Sequence, residues 1–279
     1  MRISIAHSTT YLYDAPPKSV TQILRLTPRN HDGQYVVNWR IDLSRDCRLH
    51  QRDGAFGNIS HTFTAEGSFN ELTVTVDGEV DTQDTSGVIR GTIERFPPAL
   101  YLRDTTLTEA DAAIIAFAED ARDKAGTDPL KILHGLMSAL NDQFSFDAEP
   151  TDVGTTAAEA FALRRGVCQD GTHIFIAAAR HLGIPARYIG GHYCRSEDDG
   201  PQEAGHAWAE AYVEKLGWVG FDPTHGLSPT EAHVRVAVGL DYLGAAPVRG
   251  TRNGGGNETM KVSVHVTPAT WQSQSQSQS

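Results

Sequence analysis

The sequence predicts an α+β protein: an all-β first third, then helices, then a short antiparallel sheet. Three observations predict it. Residues 1 to about 97 alternate β-branched and aromatic residues with polar ones, between Gly, Pro and Asp turns. After Pro97-Pro98, apolar residues recur at helical spacing instead. From Arg187 to Asp222 strand patterning returns, just after an alanine-rich run that reads as a buried helix.

Length and composition narrow the function. A chain of 279 residues, 39% apolar, holds one large domain or two ordinary ones with a real core. Its 24 basic and 35 acidic side chains leave a net charge of −11, which argues against nucleic acid or an anionic membrane as the main partner. No apolar run is long enough to span a bilayer. The opening MRISIAHSTTYLYD alternates and is polar, unlike a signal peptide, so a cytoplasmic location is expected. The 3 cysteines, Cys47, Cys168 and Cys194, are few and odd in number, which fits reduced thiols.

The first unit, residues 1–97, reads as a sandwich-like β domain. Ile3, Ile5, His7 and Thr9 alternate with polar or small neighbours, and runs at 35–43 and 72–76 are strand-like. Pro16-Pro17, Asp32-Gly33, Asp53-Gly54 and Asp77-Gly78 mark turns. Its histidines (His7, His31, His50, His61) are scattered and read as ordinary surface or core residues.

A second unit, residues 98–250, begins with helices. Thr108, with Asp111 three residues on, reads as an N-cap before Ile114, Ile115 and Phe117. Asp128-Pro129 opens a helix whose apolar face is Ile132, Leu133, Leu136, Met137 and Leu140. Phe144-Ser145-Phe146 reads as extended. Thr155 or Thr156 caps a short helix over 157–164. The stretch RRGVCQDGTHIFIAAARH, 164–181, then delivers Cys168 to a helix start. There the dipole and unpaired N–H groups favour thiolate, the nucleophilic form. By itself such a cysteine is more often a small buried apolar residue.

Strands follow at 187–194, 206–213 and 218–222, with a polar acidic loop at 195–205 and a turn at 214–217. A short helix is expected from Ser228, then irregular chain. Residues 251–271 carry a late strand returning to a sheet, and the tail 272–279 reads as disordered.

One constellation emerges. His206, Trp208, Glu210 and Tyr212 share a strand face, as do Trp218, Gly220 and Asp222. A hairpin centred near Glu214 sets His206 directly across from Asp222. A carboxylate on one ring nitrogen fixes the tautomer and stabilises the imidazolium. Cysteine, histidine and carboxylate are the parts of a thiol acyl-transfer site. Cys168 is then the nucleophile, His206 the proton carrier and Asp222 its orienter. The Cys168 backbone N–H is a natural oxyanion donor. Gln169 and Trp208 are side-chain candidates, each equally readable as packing.

These runs resemble the transglutaminase-like superfamily. The matching segments are Arg164 to Asp170, Gly183 to Tyr188, His206 to Glu210 and Gly217 to Thr224. Tyr11 to Asp14, Leu24 to Pro28, Val236 to Tyr242 and Pro247 to Gly250 resemble a bacterial branch with an N-terminal β region. The resemblance implies a papain-like core with helices packed on an antiparallel sheet. It also implies Cys168, His206 and Asp222 as the triad. His173 fits the family pattern as a buried, hydrogen-bonded residue, and Asp170 as support at the helix start. Gly171 departs from it, standing where a bulky aromatic is expected, which either widens the space beside the nucleophile or loosens the first turn of the helix.

The expected function is cysteine-dependent acyl transfer on a peptide or protein amide, hydrolysis before cross-linking, with no cofactor and no metal. Transamidation and a silent binding module are the alternatives. A metal set of His192, Cys194 and His206 lacks a compact ligand spacing. Glu197-Asp198-Asp199 reads as a solvated loop, and no calcium loop is recognisable.

Overall fold

The computed structural model describes residues 1–147, 149–195 and 205–269. The acidic cluster 197–199 and the tail 272–279 lie outside them. Two four-stranded antiparallel sheets form the first β unit. One is built from β1 (Arg2–Tyr13), β3 (Gln34–Leu43), β6 (Glu71–Thr82) and β15 (Glu258–Pro268), in the order β15-β1-β6-β3. The other is built from β2 (Pro17–Thr27), β4 (His50–Asp53), β5 (Ile59–Glu66) and β14 (Val248–Gly254), in the order β14-β2-β5-β4. Alternation explains the layering. Tyr11, Val20, Leu24, Phe63, Leu72 and Val74 bury one face of each sheet in a shared core, while the residues between them face outwards. The chain rejoins this unit at Val248, and the late strand pairs along nearly the whole of β1.

A third sheet has the order β13-β10-β11-β12-β7, from β7 (Val88–Ile89), β10 (Ala186–Tyr193), β11 (His206–Val213), β12 (Gly217–Phe221) and β13 (His233–Gly239). The helix expected from Ser228 does not form. Val234 and Val238 pair there with β10, across a bulge at Val236, so packing overrides the local signal.

Helices α1 (Ala112–Ala125), α2 (Pro129–Gln143), α3 (Ala157–Leu163) and α4 (Cys168–His181) share one core with this sheet. A short α5 (Tyr242–Ala245) follows β13, and β8 (Ser145–Phe146) pairs with β9 (Arg165–Gly166) just before α4. Asp111, not Thr108, caps α1, accepting the N–H groups of Ala113 and Ile114. Thr108 is buried and instead accepts a hydrogen bond from Arg180 at 2.7 Å. Thr156 and Glu159 form a capping box at α3. Ala207, Ala209 and Ala211 meet Ala177, Ala178 and Ala179 in the core between β11 and α4, and such small side chains allow close approach. None of the described helices is long and apolar enough to cross a membrane.

Side-chain amides join the two units. β13 is an edge strand, whose unpaired backbone groups need partners. Asn58 donates to the Val238 carbonyl at 2.7 Å and accepts the Val238 N–H at 2.8 Å. Gln34 does the same at Arg235, at 2.9 and 2.8 Å. Each amide thereby completes the edge as a neighbouring strand would. Ile3, Ile5, Val80, Val234 and Val264 pack the same junction.

Candidate active site

The half-buried Cys168 is the first residue of α4. Its N–H is among the leading four of the helix that lack an intrahelical partner. The Asp170 carboxylate accepts the Val167 N–H and the Thr151 hydroxyl, both at 2.8 Å, and so braces the turn that presents Cys168. Burial raises the Asp170 pKa, partly offset by these bonds.

His206 opens β11 and Asp222 follows β12. Observed pairs such as Ala209 with Phe221 and Val213 with Gly217 place the hairpin centre one residue later than expected. The cause is the turn: Lys215 and Gly217 both take positive φ, and the Leu216 N–H closes on the Val213 carbonyl. This moves the register by two residues, which preserves the faces. His206 and Asp222 are therefore offset neighbours on one face, not directly opposed. They still meet: His206 Nε2 donates to Asp222 Oδ2 at 2.7 Å.

Burial alone would lower the His206 pKa. The charge and hydrogen bond of Asp222, with a hydrogen bond and charge from Cys168, overcome it and raise the value to about 10. Burial opposes ionisation of Asp222, but His206 and hydrogen bonds from His225 and His233 hold its carboxyl well below the usual range. The structure thus brings Cys168, His206 and Asp222 together.

The other expected residues are placed less uniformly. Gln169 is buried beside Cys168, and its Nε2 has no hydrogen-bond partner. Trp208 underlies His206, with ring centroids 6.0 Å apart, and packs on Ile189 and Val238. It supports the imidazole. Gly191 makes room for it: a Cβ there would sit 2.8 Å from the indole and 2.1 Å from the Val234 carbonyl. His173 is fully buried and accepts the Tyr242 N–H at 3.0 Å. Burial lowers its pKa to about 4. Gly171 lines a small, partly open pocket with Leu140, Phe144, Val167 and Pro223.

Two residues escaped the sequence reading. His225 Nδ1 and His233 Nε2 also reach Asp222 Oδ2, at 2.7 and 3.2 Å. Their proximity depends on the turn after Asp222 and on the β13 strand, which carries no local motif. Beneath the hairpin lies a buried ion network. Glu210 accepts from Arg187 and from Arg235, each at 2.7 Å, and Arg187 also pairs with Glu94 at 2.7 Å. Two cations hold the Glu210 pKa down to about 2 against burial.

The His192, Cys194, His206 set does not assemble. His192 faces the His7 ring, and Cys194 packs with Ile3 and Val234. Among the described residues, His206, Asp222, His225 and His233 are the group whose ligand atoms approach closely enough to share an ion, within 4.8 Å. Their hydrogen bonding is that of N–H donors converging on one carboxylate. His233 Nδ1 accepts the Thr230 N–H at 3.1 Å, which assigns its proton to Nε2.

Residues 116–223 match the model of the transglutaminase-like superfamily core, and residues 3–81 match that of the bacterial transglutaminase-like N-terminal region. The chain belongs to the transglutaminase-like superfamily. An uncharacterised protein of Mycobacterium leprae is 28% identical over 280 residues, covering 95% of this chain and 98% of that one. One from Mycobacterium tuberculosis is 29% identical over 303 residues, covering 96% and 93%. A solved structure from Cytophaga hutchinsonii, provisionally classed as a cysteine protease, shares the fold. Its TM-score is 0.75 at 20% identity, over 96% of this chain and 90% of that one. A protein-glutamine gamma-glutamyltransferase of Pseudomonas aeruginosa is 26% identical over 146 residues, covering 48% of this chain but 22% of the relative. Family and fold together support a cysteine-dependent enzyme.

Proposed function

We propose that this superfamily member hydrolyses amide bonds of a peptide or protein through a Cys168–His206–Asp222 triad and a thioester. The observation that carries the reading is His206 held between two partners. Asp222 lies 2.7 Å from Nε2, and Cys168 stands close enough to the same ring for its charge to favour the imidazolium.

The Cys168 thiolate attacks the carbonyl carbon, and the C–O π pair moves to oxygen. The Cys168 N–H, one of the leading donors of α4, is the natural donor to that oxyanion, with the Gln169 amide as a second candidate. His206 gives its proton to the leaving nitrogen and the C–N bond breaks, leaving an acyl-thioester. Water then attacks, His206 takes its proton, and the C–S bond breaks to release the acid. Asp222 stays ionised throughout and holds the ring.

A second reading has an amine in place of that water, giving transamidation. The similarity to the Pseudomonas aeruginosa glutamyltransferase favours it. Incubation with a peptide amide, with and without a primary amine, decides between them. Hydrolysis yields only the acid. A new amide in the presence of the amine would transfer the assignment to cross-linking chemistry. Neither product, from a folded protein, would leave a binding module.

A further inference from the structure

Asp222 accepts an unusual number of hydrogen bonds. Oδ1 takes the N–H groups of Thr224 at 3.0 Å and His225 at 3.4 Å. Oδ2 takes His206 and His225 at 2.7 Å and His233 at 3.2 Å. A carboxylate offers about four lone-pair sites, so five donors saturate it.

The three imidazoles arrive differently. His225 lies three residues beyond Asp222 and is part-exposed, so its contact is local. His233 comes from the start of β13, on the far side of the sheet order from β12. It is buried, with its ring centroid 4.7 Å from Tyr193 and 5.3 Å from Trp208. Its Nδ1 accepts the Thr230 N–H, so in the neutral ring Nε2 bears the proton, aimed at Asp222. The groups facing it are Asp222 and His225 after β12, His206 and Trp208 from β11, and Tyr193 from β10. The same Thr230 contact disfavours His233 as a metal ligand. An ion on Nε2 would place the ring proton on Nδ1, against the amide hydrogen.

We propose that His233 is a positioning residue for the reaction: its fixed Nε2–H keeps the Asp222 carboxylate turned towards His206. This rests on the triad reading above. His233 touches neither Cys168 nor, by that reading, substrate. It acts through Asp222, as outer partners of a reactive group do.

The test compares His233→Ala with His233→Gln, whose amide restores an N–H near the Nε2 position. Turnover, melting temperature and the pH profile are measured with wild-type protein alongside. His233→Ala is expected to lower kcat about 10- to 100-fold with KM little changed. It should also move the alkaline limb of the profile down, because a loosened Asp222 holds the His206 proton less well. His233→Gln should recover most of both. The imidazole ¹⁵N resonances of wild-type His233 should report a protonated Nε2 and a bare Nδ1, whether or not the alanine variant folds. Folded His233→Ala with unchanged kcat and pH profile would overturn the inference, and so would a proton on Nδ1. Turnover surviving Cys168→Ala would instead sink the triad reading, leaving the tautomer measurement intact.

Discussion

His206 and Asp222 meet at 2.7 Å from positions offset by two residues along the β11–β12 hairpin. The contact is diagonal, and the carboxylate needs its other donors to hold that direction. Each donor removed from Asp222 should therefore show in the chemistry at Cys168.

On this account Cys168→Ala abolishes turnover while leaving the fold intact. Asp222→Ala leaves His206 in place without its orienter and costs less, on the order of 10⁴-fold or below in kcat. Steady-state kinetics beside circular dichroism checks both. A folded Asp222→Ala enzyme with wild-type kcat would remove Asp222 from the mechanism.

His206 carries a pH signature. Its pKa is raised in the folded protein to about 10 from an ordinary 6.5. The stability it contributes is complete below pH 6.5 and is lost as pH rises through about 10. Asp222 works oppositely: its pKa is lowered, so its contribution is present above pH 3.8 and lost as pH falls through its folded value. Urea unfolding from pH 6 to 11 should show wild-type protein losing on the order of a few kcal/mol relative to His206→Gln. Parallel curves for the two proteins would contradict the raised value.

Glu210 is buried between Arg187 and Arg235. Glu210→Ala takes the carboxylate from Arg235, leaves Arg187 with Glu94 alone, and should cost about 3–5 kcal/mol. Chemical denaturation reads this directly, and a loss under 1 kcal/mol would mean that water reaches the site.

Asn58→Ala unpairs the N–H and carbonyl of Val238 on the β13 edge. Each buried orphan costs about 1–3 kcal/mol. Amide exchange at Val238 should quicken more than exchange in β11. Uniform quickening would show that the junction melts only with the whole molecule.

Gly171 lies in the first half of α4, and the nearest atom to a Cβ there is 3.8 Å away on Pro223. Gly171→Ala should stabilise by about 0.5–1 kcal/mol through helix propensity. Thermal melts decide it, and destabilisation would mean that helix entry needs the glycine.

Much of this was legible because local signals agreed. Alternation marked β1 and β11, Pro129 and the Thr156–Glu159 pair marked helix starts, and face periodicity put His206 and Asp222 on one side. A two-residue error in register does not change a face, so the pairing survived it. Elements decided by tertiary contact were not legible. β13 forms because the side of β10 away from β11 is open to it and Gln34 and Asn58 cover its outer edge, and neither partner is near in sequence. Thr108 looked like a cap until Arg180 claimed its hydroxyl. His225 and His233 belong to the site only because a turn and a distant strand converge on one oxygen.

The most direct measurement is intact mass after brief exposure to an activated peptide acyl ester and an acid quench. One acyl adduct is expected, mapped to Cys168, lost in Cys168→Ala and slowed in Asp222→Ala. No adduct on the folded protein, or one on Cys47 that persists in Cys168→Ala, would contradict it.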